Sequence, residues 1–166
     1  LSPPTITLVT GGSRGLGRNT ALSIARDGGD VIITYRSQAE EAQAAVAEIQ
    51  ALGRRAVALQ LDTGNIAAFV TFTEHLRAAL QTTWQRTDLD NLVNNAGHGD
   101  FAAFATTSET QFDHLVNVHF KGVFFITQAL LPLIADGGRI VNFSTGLTHL
   151  SLPGYAAYAA AKGAVE

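Results

Sequence analysis

A β-branched run, Ile6 to Thr10, passes directly into Gly11-Gly12-Ser13-Arg14-Gly15-Leu16-Gly17, and apolar side chains then recur at helical spacing at Ala21, Ile24 and Ala25. A strand that turns through glycines into a helix start restricts the fold more than any other feature of this chain. Glycines at 11, 15 and 17 remove side chains where backbone must come close to a pyrophosphate. The helix start behind them supplies free N–H groups and a partial positive charge. No Gly-Lys-Ser/Thr follows, so the turn is not a P-loop. Glycines alone could form a plain turn; the strand before and the helix after point to dinucleotide binding.

The rest of the chain repeats the same alternation. Val31 to Tyr35, Ala56 to Leu61, Leu89 to Asn94 and Arg139 to Phe143 read as strands. Between them, helices are expected at Leu16–Asp27, at Ala39–Leu52, after Asn65 as cap with Phe69, Phe72, Leu76 and Leu80 inward, and from about Glu109 to Ala135. In that long helix Phe112, Leu115, Val116, Phe120 and Val123 fall in register, Gly137-Gly138 ends it, and a small-residue helix starts near Tyr155. Alternation of this kind predicts a parallel sheet with helices on both faces, and a ligand at the carboxyl ends of its strands. No repeat or linker divides the 166 residues, so one domain, 1–166, is expected.

Composition removes several function classes. A net charge of −3 with 11 Lys and Arg, none in a run longer than Arg54-Arg55, argues against nucleic acid as a partner. The absence of cysteine excludes disulfides and thiol chemistry. The longest unbroken apolar run, Tyr155 to Ala161, is far short of the roughly 20 residues of a bilayer span. Leu1-Ser2-Pro3-Pro4 lacks the charged and apolar regions of a signal peptide, so a cytoplasmic setting without membrane contact is expected. The five histidines have no ligand spacing, and no metal site is expected; His75 and His114 read as solvated or packed, whereas His98 and His149 flank the inferred site.

Thr-Gly-x-x-x-Gly-x-Gly at 10–17, Asn94-Asn95-Ala96-Gly97 after the fourth strand, Asn117 in the long helix and Tyr158-Ala159-Ala160-Ala161-Lys162 after the fifth stand in an order that resembles the classical short-chain dehydrogenase/reductase family over nearly the whole chain. The resemblance implies an α/β, Rossmann-type doubly wound parallel sheet and an oxidoreductase that interconverts an alcohol and a carbonyl with NAD(P). Family members continue past the last motif through further strands and a substrate lid. The expectation is therefore a sheet incomplete at its C-terminal side and, for a complete chain, a homodimer or homotetramer acting on a small-molecule substrate.

Tyr158 and Lys162 sit at i and i+4, on one helical face. A free tyrosine is a poor base at neutral pH, and an ammonium nearby favours its phenolate, which suits general acid–base work on an alcohol or carbonyl. Lys121 and Lys162 are the only lysines. Tyr155 has Ala159 four residues on and reads as wall or packing. The resemblance calls for a hydroxyl residue thirteen positions before Tyr158, which is Thr145 rather than the commoner serine; Ser144 is the alternative after a loop shift. It also implies that Asn117 holds a proton-relaying water. Gly11, Ser13, Arg14, Gly15, Leu16 and Gly17 would hold the phosphates, Asp62 and Thr63 the adenine, and Asn94, Ala96 and Gly97 would back the ribose and stabilise the central sheet. Lys162 and Tyr158 would also hold the nicotinamide ribose.

The second strand ends Thr34-Tyr35-Arg36-Ser37, with no acid before Glu40. An acid there would bind a ribose 2′-hydroxyl, whereas Arg36 offers a forked contact to a 2′-phosphate, with Ser37 and Arg14 as further donors. NADP(H) is expected over NAD(H). The competing reading is a catalytically inactive nucleotide-binding regulator or scaffold on the same fold, which would have no need of the Tyr-Lys pair.

Overall fold

The computed structural model describes residues 3–166; Leu1 and Ser2, half of the stretch read above for signal-peptide character, lie outside the described residues. Strands β1 (Ile6–Val9), β2 (Asp30–Tyr35), β3 (Ala56–Gln60), β4 (Leu89–Asn94) and β5 (Ile134–Asn142) form one sheet in the order β3-β2-β1-β4-β5. Every pairing is parallel. Helices α1 (Gly15–Arg26), α2 (Ala39–Ala51), α3 (Phe69–Trp84), α4 (Glu109–Val116), α5 (Gly122–Leu130) and α6 (Ala156–Gly163) connect or follow the strands. The crossover reverses between β1 and β4, and a crevice opens at their carboxyl ends.

The strand runs are apolar on both sides because both faces are covered. Ile6, Leu8 and Ile32 pack with Phe72, Leu76 and Leu80 of α3 and with Ile126 and Leu130 of α5. Val9, Val31 and Ile33 point the other way, onto Ala21 and Ala25 of α1 and Ala45 and Ile49 of α2. The alanines let the helices approach closely.

At the opposite end of the sheet from the crevice, Asp30 is fully buried. Its carboxylate accepts from Arg54 Nε and Nη2 (3.0 and 2.8 Å), the Arg55 amide and Nε (2.9 and 3.0 Å) and Trp84 Nε1 (2.8 Å). One side chain thus ties β2, the approach to β3 and the end of α3.

Three expectations need correction. Asn65 makes no side-chain cap; a short 3₁₀ turn, Ile66–Ala68, precedes α3. The long helix does not run to Ala135. Pro132 lies in a closing 3₁₀ turn, Leu131–Leu133, and lacks the N–H needed to continue. The strand then starts at Ile134, and Gly137-Gly138 lie within it as a bulge: Leu89 faces Ile134, but Asn91 faces Arg139. Lastly, the inward face of this helix is not the one read from the spacing. Asn117–Lys121 forms a π turn, and its wider winding rotates the following residues about the axis. Leu115, Val118, His119, Ile126 and Leu130 are buried, whereas Phe112 and Phe120 are exposed at 45% and 39%. The stretch Glu109–Leu133 is long and apolar enough to cross a bilayer by length and composition alone; here its inner face is part of the core. Its start is set by a capping box between Ser108 and Gln111.

Candidate active site

The crevice is a cleft of about 440 Å³ whose floor is the glycine turn. Gly11 and Gly15 hold φ of +66° and +55°, where other residues are strained. The Gly11 and Gly12 amides donate to Thr34 Oγ1 (3.1 Å) and Thr34 O (2.9 Å), which pins the turn to β2. At Gly17 a Cβ would stand 2.3 Å from both Asn95 Nδ2 and the Gly11 carbonyl oxygen. Asn95 is the reason for that closeness. Its Nδ2 donates to Thr10 O (2.9 Å) and Gly11 O (3.3 Å), and its amide and that of Ala96 donate to Thr10 Oγ1 (3.0 Å each). The end of β4 is thereby stitched to the end of β1. No side chain caps α1 at Arg14, so its first amides are left to whatever occupies the cleft.

Gly11, Ser13, Arg14, Gly15, Leu16 and Gly17 all line this cleft. So do Arg36, Ser37, Asp62 and Thr63 on its β2–β3 side, and Ala96 and Gly97 after β4. Arg14 and Arg36 are exposed and have no ion-pair partner among the described residues. The Asp62 carboxylate accepts from the Gly64 amide at 2.9 Å, so it shapes the local turn as well as facing the cleft. Asn94 does not line the cleft. It is buried, and its Nδ2 donates to Thr127 Oγ1 (3.0 Å) and Asn142 Oδ1 (2.9 Å), holding β4 to β5 and α5.

Tyr158 and Lys162 reach the same cleft from α6. Lys162 is 5% exposed, and its Nζ donates to Phe143 O at 2.7 Å; burial lowers its pKa. Tyr155, at the start of α6, packs edge-on against Phe101 with ring centroids 5.6 Å apart. Of the two hydroxyl candidates, Ser144 lines the cleft and donates to the Glu166 carboxylate at 2.5 Å. Thr145, next to it, caps the Gly146–Thr148 turn, its Oγ1 accepting from the Leu147 amide at 3.4 Å.

Asn117 lies outside the cleft lining, whereas His119, two residues on, lies within it. Two residues apart they lie on nearly opposite sides of the π turn, so only one of these positions faces the site. His119 is buried, and its ring stands edge-on to Tyr158 at 5.1 Å. His98 also lines the cleft; His149 does not. His114 is exposed but stacks on His98 with centroids 4.6 Å apart. No cluster of metal-ligating side chains occurs among the described residues. Asn95 and His119 are the site residues that the sequence reading missed. The sequence offered no distinct signal for His119, which stands between the polar residues Asn117 and Lys121.

A family model described as short chain dehydrogenase matches residues 5–166. A hydroxynaphthalene reductase of Aspergillus fumigatus is 35% identical over 162 residues, which are 97% of this chain and 57% of that protein. An uncharacterized oxidoreductase of Methylorubrum extorquens is 36% identical over 161 residues, 97% of this chain and 62% of the relative. Among solved structures, a landomycin C-6 ketoreductase with bound NADP and rabelomycin superposes with a TM-score of 0.94 at 36% identity, covering 97% of this chain and 66% of that one. A short chain dehydrogenase from Burkholderia cenocepacia in complex with NADP gives 0.87 at 40% identity, covering 97% and 64%. The chain spans less than two thirds of the length of these curated relatives.

Proposed function

The chain belongs to the short-chain dehydrogenase family, and from that membership we propose that it serves an oxidoreductase interconverting a carbonyl and an alcohol with NADP(H). The observation that carries the reading is the placement of Tyr158 and Lys162, on one turn of α6, in the same cleft as the glycine turn. The cleft suits a dinucleotide: Gly17 leaves no room for a Cβ, α1 is uncapped, and two arginines stand unpaired beside it.

The cofactor, when bound, supplies the hydride. The backbone amides of the turn and of α1 would hold its pyrophosphate, and Lys162 its nicotinamide ribose. Tyr158 gives its proton to the carbonyl oxygen as charge develops there. A hydroxyl that polarises that oxygen needs a proton to spare. Ser144 spends its proton on Glu166 while Thr145 only accepts, so we assign the role to Thr145. Thr145→Val is then expected to cost more turnover than Ser144→Ala; the reverse order would return the role to Ser144.

Arg36, with Arg14 and Ser37, would hold the 2′-phosphate of NADP(H). A hydrogen bond to a charged group contributes roughly 1.5–3 kcal/mol, about tenfold to a hundredfold in preference. Arg36→Asp should move the ratio of kcat/KM for NADPH over NADH toward NADH by that factor. A preference for NADH in the unaltered protein would contradict the assignment.

Pairing with a second copy is the further reading for the outer face of α5. Phe124 (57% exposed) and Leu131 (54%) share a hollow there with Phe120 and Val165. Phe124→Glu should shift sedimentation from a dimer or tetramer toward monomer; a parent protein that is monomeric at all concentrations would contradict it.

A further inference from the structure

Two loops meet beyond the cleft, and one aromatic ring joins them. The stretch after β4, residues 95–107, touches the stretch after β5, residues 143–155, where the Ala102 amide donates to the Gly154 carbonyl oxygen at 3.0 Å. Beside that bond Phe101 lies flat against the Gly154 backbone. A Cβ at 154 would stand 2.1 Å from Phe101 Cε2 and 2.5 Å from Cδ2. Gly154 also holds φ of +87°, a conformation that favours glycine. Any larger residue at 154 would therefore push the ring off its seat. An edge-on contact with Tyr155, centroids 5.6 Å apart, fixes the ring from a second side.

A ring held this firmly belongs in a core, yet Phe101 is 67% exposed. Keeping ordered aromatic area in water is unfavourable, and a ligand that covers it gains that area. The ring is also continuous with the cleft. Tyr155 stands edge-on to Tyr158, with centroids 6.4 Å apart. Gly99 of the cleft lining lies beside it, where a Cβ would come within 3.9 Å of Tyr155 Cε1. Tyr158, Tyr155 and Phe101 thus carry the cleft wall outward, ring by ring, from the phenol. The same two stretches expose Phe104, Leu150 and Leu152. Neither stretch contains a Lys or Arg. A carboxylate would meet no ammonium or guanidinium there, whereas a flat apolar surface would meet a ring already in place.

We propose that Phe101, seated on Gly154, is a specificity-determining residue that receives the flat apolar body of the ketone substrate while the carbonyl reaches Tyr158. The turnover part of this proposal rests on the oxidoreductase reading above; the ring contact does not. The test compares kcat/KM for 2-tetralone and cyclohexanone with NADPH. Alongside it, intermolecular NOEs are measured from 2-tetralone to the Phe101 and Tyr155 rings in phenylalanine- and tyrosine-labelled protein. NOEs to both rings are expected. Phe101→Ala removes the ring, and Gly154→Ala keeps the ring but unseats it. Each should lower the 2-tetralone over cyclohexanone ratio of kcat/KM about tenfold, chiefly through KM. NADPH binding should stay within about twofold of the parent in both. Should Gly154→Ala fail to fold, Phe101→Ala and the NOEs decide. An unchanged ratio in Phe101→Ala, or no NOE to Phe101 because another segment of protein covers it, would overturn the proposal. A parent protein that shows the NOEs but reduces neither ketone would overturn the oxidoreductase reading and leave the ring contact standing.

Discussion

Tyr158→Phe is expected to lower kcat by about 10² to 10⁴ while leaving NADPH binding nearly unchanged. The substituted ring keeps its shape, so its contacts with His119 and Tyr155 survive. What disappears is the proton that the proposed mechanism has Tyr158 give to the substrate oxygen. Lys162 keeps its place, because its hydrogen bond runs to the Phe143 carbonyl and not to the tyrosine. The effect should therefore fall on kcat far more than on the dissociation constant of NADPH. Near-normal turnover by the Phe variant would remove Tyr158 from the mechanism.

The second large effect is on stability and lies at the far end of the sheet. Asp30→Ala removes the acceptor of five hydrogen bonds and leaves Arg54, Arg55 and Trp84 facing an apolar gap. Breaking a buried ion pair from one side costs about 3–5 kcal/mol. The side chains of Arg54 and Arg55 are 24% and 48% exposed, so water can replace part of what they lose. A loss of about 3 kcal/mol, or roughly 6–12 °C in Tm, is expected. Burial alone would raise the Asp30 pKa, but the bonds from the Arg55 amide, Trp84, Arg55 and Arg54 outweigh it and hold the carboxyl below its ordinary value of 3.8. A lowered folded pKa means the stabilisation is complete above that ordinary value and is lost as pH falls through the folded one. The gap between parent and variant should hold at neutral pH and narrow only in strong acid. Denaturant unfolding at several pH values measures it; a variant within about 0.5 kcal/mol of the parent at neutral pH would show the network to be dispensable.

The parts of this structure that sequence made legible are those governed by period and composition. Ile6–Val9 and Val31–Tyr35 are apolar on both sides, which identifies buried parallel strands, and the glycine turn fixed the place of the cleft. Ile134–Asn142 was read as starting at Arg139, because Ala-Asp-Gly-Gly looks like a helix stop and gives no local sign of pairing with Leu89 across a bulge. The π turn at Asn117–Lys121 is likewise set by packing and not by residue type. Its consequence was large: the phase of that helix puts His119 in the cleft lining and Asn117, the residue named by the resemblance, outside it. The expected part of Asn94 in the central sheet is seen, whereas its neighbour Asn95 was not singled out. Asn94 and Asn95 are adjacent and alike in chemistry, and only the pleat of β4 sends one into the sheet and the other to the glycine turn. Lys162 and Tyr158 were legible because i, i+4 spacing on a helix leaves little choice of face.

Transfer of label from NADPH carrying deuterium at its transferable C4 position tests the central claim most directly. A broad panel of ketones is offered as substrate. The account predicts one deuterium on the carbinol carbon of the product, with no detectable label from Tyr158→Phe over the same time. NADPH that binds in the cleft yet delivers no label to any ketone in a broad panel would contradict it and leave the chain a nucleotide-binding protein without this chemistry.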